Sequence, residues 1–342
     1  LVTIKDVAKK AGVSVMTVSR VINGSKNVKE STREKVLRTI EELGYVPNSV
    51  ARSLILNKTL TIGLVISDIT NPFFTTIARG VEDTAISKHF TVILCNTDED
   101  PEKEMMYAEV LARSKVDGVI YASASGKKAP LKSLFLKKIP IVLIDRTIEG
   151  VNDLDIVRGD SVLGAYLLTK HLIDLGHRRI GIIVGSHFIS TARDRVEGYK
   201  KALNEANIPI DESLIKINEN SKFSKEDGYR LTKELLNLEN PPTAIFGGNN
   251  LMAVGALLAI RERGLEIPED ISLVSFDDIE SLSEVYPFLT VVKQPAYTMG
   301  VIATEILIRR IENRDKIKEK REILLTPELI IRKSTAPPKR KT

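Results

Sequence analysis

From Thr59 onward the chain repeats one pattern: a short apolar run, then a longer amphipathic stretch. The runs are Thr61–Ile66, Thr91–Leu94, Gly118–Tyr121 and Ile141–Ile144, followed by Ile180–Val184, Leu214–Ile217, Ala244–Phe246 and Leu273–Phe276. Such runs read as strands buried on both faces, and the stretches between them supply the helical crossovers that parallel strands need. Two series of β-α units predict two parallel-sheet lobes rather than one long sheet. Ligands of open α/β sheets bind beyond the strand C-termini, so the loops leaving these strands should face a shared cleft. No apolar run approaches the ~20 residues of a bilayer span. No basic-then-apolar leader opens the chain, which makes a cytoplasmic location the expectation. The single Cys95 excludes an intrachain disulfide framework, and four scattered histidines argue against a zinc site.

The first 58 residues have a different character. They hold 11 Lys/Arg against 5 Asp/Glu, while the rest of the chain holds 39 against 40. A basic head on a nearly neutral body suggests that the head meets a polyanion. Thr3 and Asp6 have capping-box spacing and open a helix through Val7 and Ala11. Gly12 permits a tight turn, and Ser14 can cap a second helix over residues 15–23. Ser31 and Glu34 form another box, starting a third helix that puts Val36, Ile40 and Leu43 on one stripe and stops at Gly44. Two helices joined by a Gly turn make a helix-turn-helix, whose second helix enters the major groove N-terminal residues first. Val15, Met16 and Arg20 then face bases. Arginine can pair bidentately with guanine, whereas Val and Met touch thymine methyls or exclude other bases. Thr17, Ser19 and Asn23 have short polar chains suited to phosphates, and Thr3 joins this DNA-facing set. The plainer alternative is a small helical core in which Val15 and Met16 are packed.

The segment Val2–Asn23, with Ser31–Val36, Leu43–Asn48 and Val50–Leu54, resembles the head of the lactose-repressor (LacI/GalR) family, and the likeness runs to about Ser334. The resemblance implies an N-terminal all-α helix-turn-helix head with a hinge helix, joined to a two-lobed parallel-sheet α/β effector domain like that of periplasmic binding proteins. The expected organisation is a head over 1–46 and a hinge over 47–58. The N-subdomain then takes 59–158 with 291–317, the C-subdomain takes 159–290 with 318–334, and 335–342 form a disordered basic tail. The strand Leu289–Lys293 and helix Thr298–Ile311 are expected to return to the first lobe, and the strand Glu322–Ile331 to the second. Pro47 ends the third helix and Asn48 can cap a two-turn hinge helix, too short to be stable alone. In the resembled family this helix forms on operator binding and wedges a leucine into the minor groove, a role that falls to Leu54 here. An apolar wedge unstacks a base step and bends the duplex. Arg52 adds phosphate charge. An ordinary linker with an exposed leucine is the alternative. The implied partners are a pseudo-palindromic double-stranded DNA operator and a second copy of the chain, with no cofactor and no membrane.

Loops at the strand ends carry Asp68–Phe74, Asp145-Arg146, Arg193–Arg195, Phe223, Gly248–Asn250, Asp277-Asp278 and Gln294. Aromatic rings can flank a sugar face while carboxylates, amides and guanidinium groups clamp its hydroxyls, each of which costs about 1–3 kcal/mol if buried without a partner. These segments resemble the periplasmic ribose-binding protein. That likeness implies effector contacts for Asn71, Phe73, Phe74, Asp145, Arg146, Arg195, Phe223, Asn249, Asp277 and Gln294. Asn250 departs from the Asn-Asp pair usual there, and a helix-capping role is expected for it. Phe73 and Phe74 as core, and Asp145-Arg146 and Asp277 as ion pairs or turn caps, are the alternatives. Two arginines against two aspartates make a balanced set that suits a small neutral sugar, with D-ribose or a related pentose favoured. An anionic ligand calls instead for a basic cluster or a helix N-terminus. The sequence therefore predicts a sequence-specific DNA-binding transcriptional regulator, a sugar-responsive repressor of a carbohydrate-utilisation operon. The rival is a transport or sensory sugar-binding protein that does not touch DNA. No Gly-rich phosphate loop and no nucleophile beside a His base argue for an enzyme.

Overall fold

The computed structural model describes residues 2–22, 25, 27–45, 59–218, 223–279, 283–313 and 319–339. The chain divides into two compact units, residues 1–59 and 60–342.

The first unit holds α1 (Ile4–Ala11), α2 (Val15–Ile22) and α3 (Glu30–Leu43). At the start of α1 the Asp6 carboxylate accepts from the Thr3 amide (2.8 Å) and hydroxyl (2.7 Å). Gly12 closes α1 in the left-handed conformation (φ 63°), a position glycine fills without steric cost. The Ser14 hydroxyl accepts from the Thr17 amide at 3.1 Å and so caps α2. The expected Ser31–Glu34 box is not formed. The third helix begins two residues earlier, with Lys29 at its N-cap and no side-chain capping bond, and it ends at left-handed Gly44. Val7, Ala8, Ala11, Val18, Val21 and Val36 form the buried core of this unit.

The second unit contains two six-stranded sheets. The first lobe has β1 (Thr61–Ile66), β2 (Thr91–Asn96), β3 (Gly118–Tyr121), β4 (Ile141–Ile144), β5 (Asp155–Gly159) and β11 (Glu322–Leu325), in the order β11-β5-β4-β3-β1-β2, all parallel. Helices α4 (Pro72–Ser87), α5 (Pro101–Arg113), α6 (Lys132–Leu136) and α11 (Ala296–Glu312) pack on it. The second lobe has β6 (Ile180–Val184), β7 (Ile215–Ile217), β8 (Ala244–Gly247), β9 (Ser272–Phe276), β10 (Thr290–Lys293) and β12 (Glu328–Ile330), in the order β12-β10-β9-β8-β6-β7. Its helices are α7 (Ser161–Asp174), α8 (Ser190–Glu205), α9 (Lys225–Leu236) and α10 (Asn250–Glu262). Only β12 runs antiparallel to its neighbour. The two lobes thus repeat one strand order.

Three expectations need correction. β10 pairs with β9, so the strand belongs to the second lobe and only α11 crosses to the first. Pro295 explains the place of the break: with no N–H it cannot extend the ladder. The run Glu322–Ile331 is two strands. β11 pairs with β5 in the first lobe and β12 with β10 in the second, because Pro327 interrupts the run. The tail is ordered through residue 339. His171 shares a hydrogen bond with Thr335, His177 contacts the Ala336 carbonyl at 2.9 Å, and Lys339 pairs with Asp270. β5 is a further strand that the apolar runs did not announce. No described helix is long and apolar enough to cross a membrane.

Candidate ligand cleft and nucleic-acid face

Two buried aspartates occupy matching places in the two lobes. Asp145 follows β4 and Asp277 follows β9, and both hold a left-handed backbone (φ 66° and 64°). A non-glycine residue pays strain in that region, which marks a backbone bent to aim a side chain. Beside Asp145, the buried Arg146 guanidinium donates to both carboxylate oxygens of Glu99, at 2.7 and 3.3 Å, and to the Ser123 carbonyl at 3.0 Å. Burial raises the pKa of Glu99, and the bidentate Arg146 guanidinium opposes the shift. Burial opposes the charge on Arg146, but Glu99 outweighs it and holds Arg146 above its ordinary value.

In the second lobe Arg195 donates to the Gly248 carbonyl and stands 3.8 Å from Asp277, whose other oxygen accepts from Gln294 at 2.9 Å. Burial lifts the Asp277 pKa to about 6, against the pull of Arg195 and Gln294. Burial also lowers Arg195, an effect that Asp277 partly offsets. Phe223 lies between the two arginines, with guanidinium carbons 5.6 and 5.8 Å from its ring centre. Phe74 faces Arg146 at 5.7 Å and meets Phe73 edge to face. Phe73 and Phe74 also belong to the first-lobe core, so the packing alternative holds for them alongside the cleft position. Two glycines make room: a Cβ on Gly185 would strike the Phe223 ring at 2.5 Å, and one on Gly159 would strike Gln294.

Asn71 caps α4 by accepting from the Phe73 amide at 3.0 Å, and Asn249 caps α10 by accepting from Met252 at 2.8 Å. Asn250 does not take that capping role. Its amide spans the cleft and donates to Asn71 at 3.0 Å and to the Asp278 carbonyl at 3.1 Å, a bond an aspartate could not donate. Ser190 in the second lobe likewise accepts from the Thr147 amide of the first at 3.0 Å.

All ten cleft candidates are buried. Asn71, Phe74, Arg146, Phe223 and Asn249 line a cavity of about 230 Å³ together with Asp68, Asp98 and Glu99. Phe73, Asp277 and Gln294 line a separate, smaller space. Four buried polar atoms here have no hydrogen-bond partner: Asp145 Oδ1, Arg146 Nε, Arg195 Nε and Gln294 Oε1. A larger concavity of about 650 Å³ opens on the second lobe between α8 and β7, and none of the ten residues lines it. Glu99 was missed by the sequence reading. It makes the paired set three carboxylates against two guanidinium groups, which corrects the balanced charge expected there. Its signal was available, since Asp98-Glu99-Asp100 leave β2 at the same end as the other loops.

On the first unit, Val15 and Met16 are 40% and 64% exposed while Val18 and Val21 are buried, so the packed-core alternative fails for the first two. Arg20 is exposed and Thr17 and Ser19 are half-buried on the same helix. Asn23, Asn48, Arg52 and Leu54 lie outside the described residues.

Both regions have counterparts among known proteins. Residues 3–48 match the description "Bacterial regulatory proteins, lacI family", and residues 59–333 match "Periplasmic binding proteins and sugar binding domain of LacI family". The chain is 42% identical over 337 residues to the HTH-type transcriptional repressor PurR of Haemophilus influenzae (strain PittEE), covering 98% of each. It is similar to the Lac repressor dimer bound to operator and the anti-inducer ONPF, with 29% identity, a TM-score of 0.83, and 98% of this chain and 99% of that one covered. It is also similar to a LacI family transcriptional regulator from Enterococcus faecium with bound ribose, with 34% identity, a TM-score of 0.71, and 82% of this chain and 100% of that one covered.

Proposed function

The chain belongs to the LacI family of DNA-binding transcriptional repressors, and from that premise we propose that its effector is a small neutral sugar, D-ribose or a related pentose, bound between the lobes of the second unit. One observation carries the reading: residues of both lobes, Asn71, Phe74 and Arg146 from the first and Phe223 and Asn249 from the second, line one small polar cavity, and the Arg146 Nε in that lining has no hydrogen-bond partner. At about 230 Å³ that cavity lies below the ~300–1,000 Å³ of drug-sized sites, a scale suited to a monosaccharide. A polyol offers such polar groups hydroxyls, each of which both donates and accepts. The surplus carboxylate opposes an anionic ligand more strongly than a balanced set would. A purine would stack on Phe74 and Phe223 but leave the aspartates short of donors. The Enterococcus faecium relative, solved with ribose, supports the same reading.

The sugar-responsive target is then a carbohydrate-utilisation operon. Val15, Met16 and Arg20 read bases, with Thr3, Thr17, Ser19, Asn23, Asn48 and Arg52 serving the backbone or its positioning and Leu54 the minor-groove wedge. A single recognition helix rarely gives enough affinity at cellular salt, so two copies read two half-sites of a pseudo-palindrome. Exposed Ile93 on edge strand β2, with Met105, Met106 and Val110 on α5, offers apolar surface for that homodimer. Calorimetry with pentoses, hexoses, sugar phosphates and purines tests the effector. Binding of a neutral pentose is expected. Binding of an anionic ligand or purine, with no neutral sugar bound at millimolar concentration, contradicts the proposal.

A further inference from the structure

The helix-to-strand turns of the two lobes have the same backbone and opposite chemistry. In the second lobe the left-handed turn positions before β6, β7 and β9 are Gly176, Asn207 and Gly264. These are residue types that enter this region readily. In the first lobe the positions before β2, β3 and β4 are His89, Lys115 and Lys138, with φ between 52° and 63°. All three are exposed, as are neighbouring Lys88 and Lys137. The first-lobe turns, residues 86–91, 113–118 and 136–141, hold five cations and one acid, Asp117. That acid is buried and accepts from the Leu60 amide at 2.7 Å. The second-lobe turns, residues 174–180, 205–215 and 262–272, hold eight acids against three arginines.

The parallel register puts the N-terminal ends of β1 to β4 at one end of the first sheet. The chain enters β1 at that same end, coming from the DNA-binding unit through Thr59 and Leu60. Lysine there is held in a conformation that glycine would adopt without strain, and among the described residues lysine does so only at this end of the first lobe. We propose that this lysine-bearing end of the first lobe is an auxiliary nucleic-acid face, which contacts the phosphate backbone of the DNA that the head engages. The contact is made to phosphates alone, so it adds affinity without sequence preference. The proposal rests on the DNA-binding reading of the head and extends it to the effector body.

The test uses the full-length protein with Lys115→Gln, Lys137→Gln and Lys138→Gln combined, and its Arg counterpart at the same three positions. Binding to a mixed-sequence duplex is followed by fluorescence anisotropy between about 50 and 200 mM salt. The Gln variant is expected to bind about tenfold more weakly near 100 mM salt, with a log–log salt slope shallower by about 2 or more. The Arg variant should keep the wild-type slope, and thermal melting should report all three proteins folded. Lys138→Gly separates charge from backbone: it relieves the left-handed residue, so it should melt no lower than wild type while still losing DNA affinity. Unchanged affinity and slope in the Gln variant overturn the proposal. Failure of the wild type to bind DNA would instead overturn the reading of the head.

Discussion

The two walls of the cleft repeat one architecture but are finished to different degrees. In the first lobe Arg146 is fully engaged at its tip, gripped by both oxygens of Glu99 and by a backbone carbonyl. In the second lobe Arg195 meets its carboxylate only at 3.8 Å, while the Nε of both arginines has no hydrogen bond. Burial lifts Asp277 to about 6 against the pull of that pairing. Each wall keeps two unpartnered buried polar atoms, but the wall with the tighter ion pair is the more preorganised, and the one with loosely paired charges has more to gain when a ligand arrives. On this account the second lobe should respond more to the ligand than the first.

The largest break in that comparison comes from Glu99→Ala. Removing one partner of a buried ion pair leaves an uncompensated charge, so unfolding free energy should fall by about 3–5 kcal/mol, read by denaturant titration. A loss no larger than that of a surface mutation would show that Glu99 does not hold the first wall. Asp277→Ala should have the opposite profile. Effector affinity should drop at least about a hundredfold, roughly 2.7 kcal/mol, while DNA binding persists. Loss of DNA binding would make Asp277 structural.

Acidity sharpens the contrast further. Since the folded state raises Asp277 from 3.8 to about 6, its protonated form is the one folding favours. Its stabilising contribution is complete below pH 3.8 and is lost as pH rises through about 6. Ligand binding runs the other way, because only the carboxylate accepts from two hydroxyls. Effector affinity should fall about tenfold from neutral pH to pH 5, one pH unit below the Asp277 midpoint. A flat calorimetric profile would remove Asp277 from the ligand's contacts. Outside the comparison of the walls stands the head, where Arg20→Ala should relax discrimination at one guanine by ~1–3 kcal/mol in operator competition and leave the effector affinity of both walls unchanged.

Much of this body was legible from its apolar runs. Strands such as Gly118–Tyr121 and Ile180–Val184 are buried on both faces and announce themselves. β5 did not, because only Ile156 and Val157 are apolar and its first residue, Asp155, is buried through a bidentate pair with Arg310, 155 residues away. The lobe crossings were misplaced for a related reason. Periodicity reports that a run is a strand and does not report which sheet accepts it; Pro295 and Pro327 were the local clues. In the cleft, rings, amides and aspartates at strand ends were readable. Glu99 was overlooked because its partner lies 47 residues away, and the cross-cleft bond of Asn250 depends on an amide donor whose acceptor is 179 residues distant.

Operator affinity measured with and without saturating D-ribose, in the wild type and in Asp277→Ala, tests the central claim most directly. Coupling between two sites in one molecule is typically about 5–150-fold, and a shift in that range is expected for the wild type and none for the variant. An operator affinity indifferent to ribose in the wild type, or an equal shift in Asp277→Ala, would contradict the account.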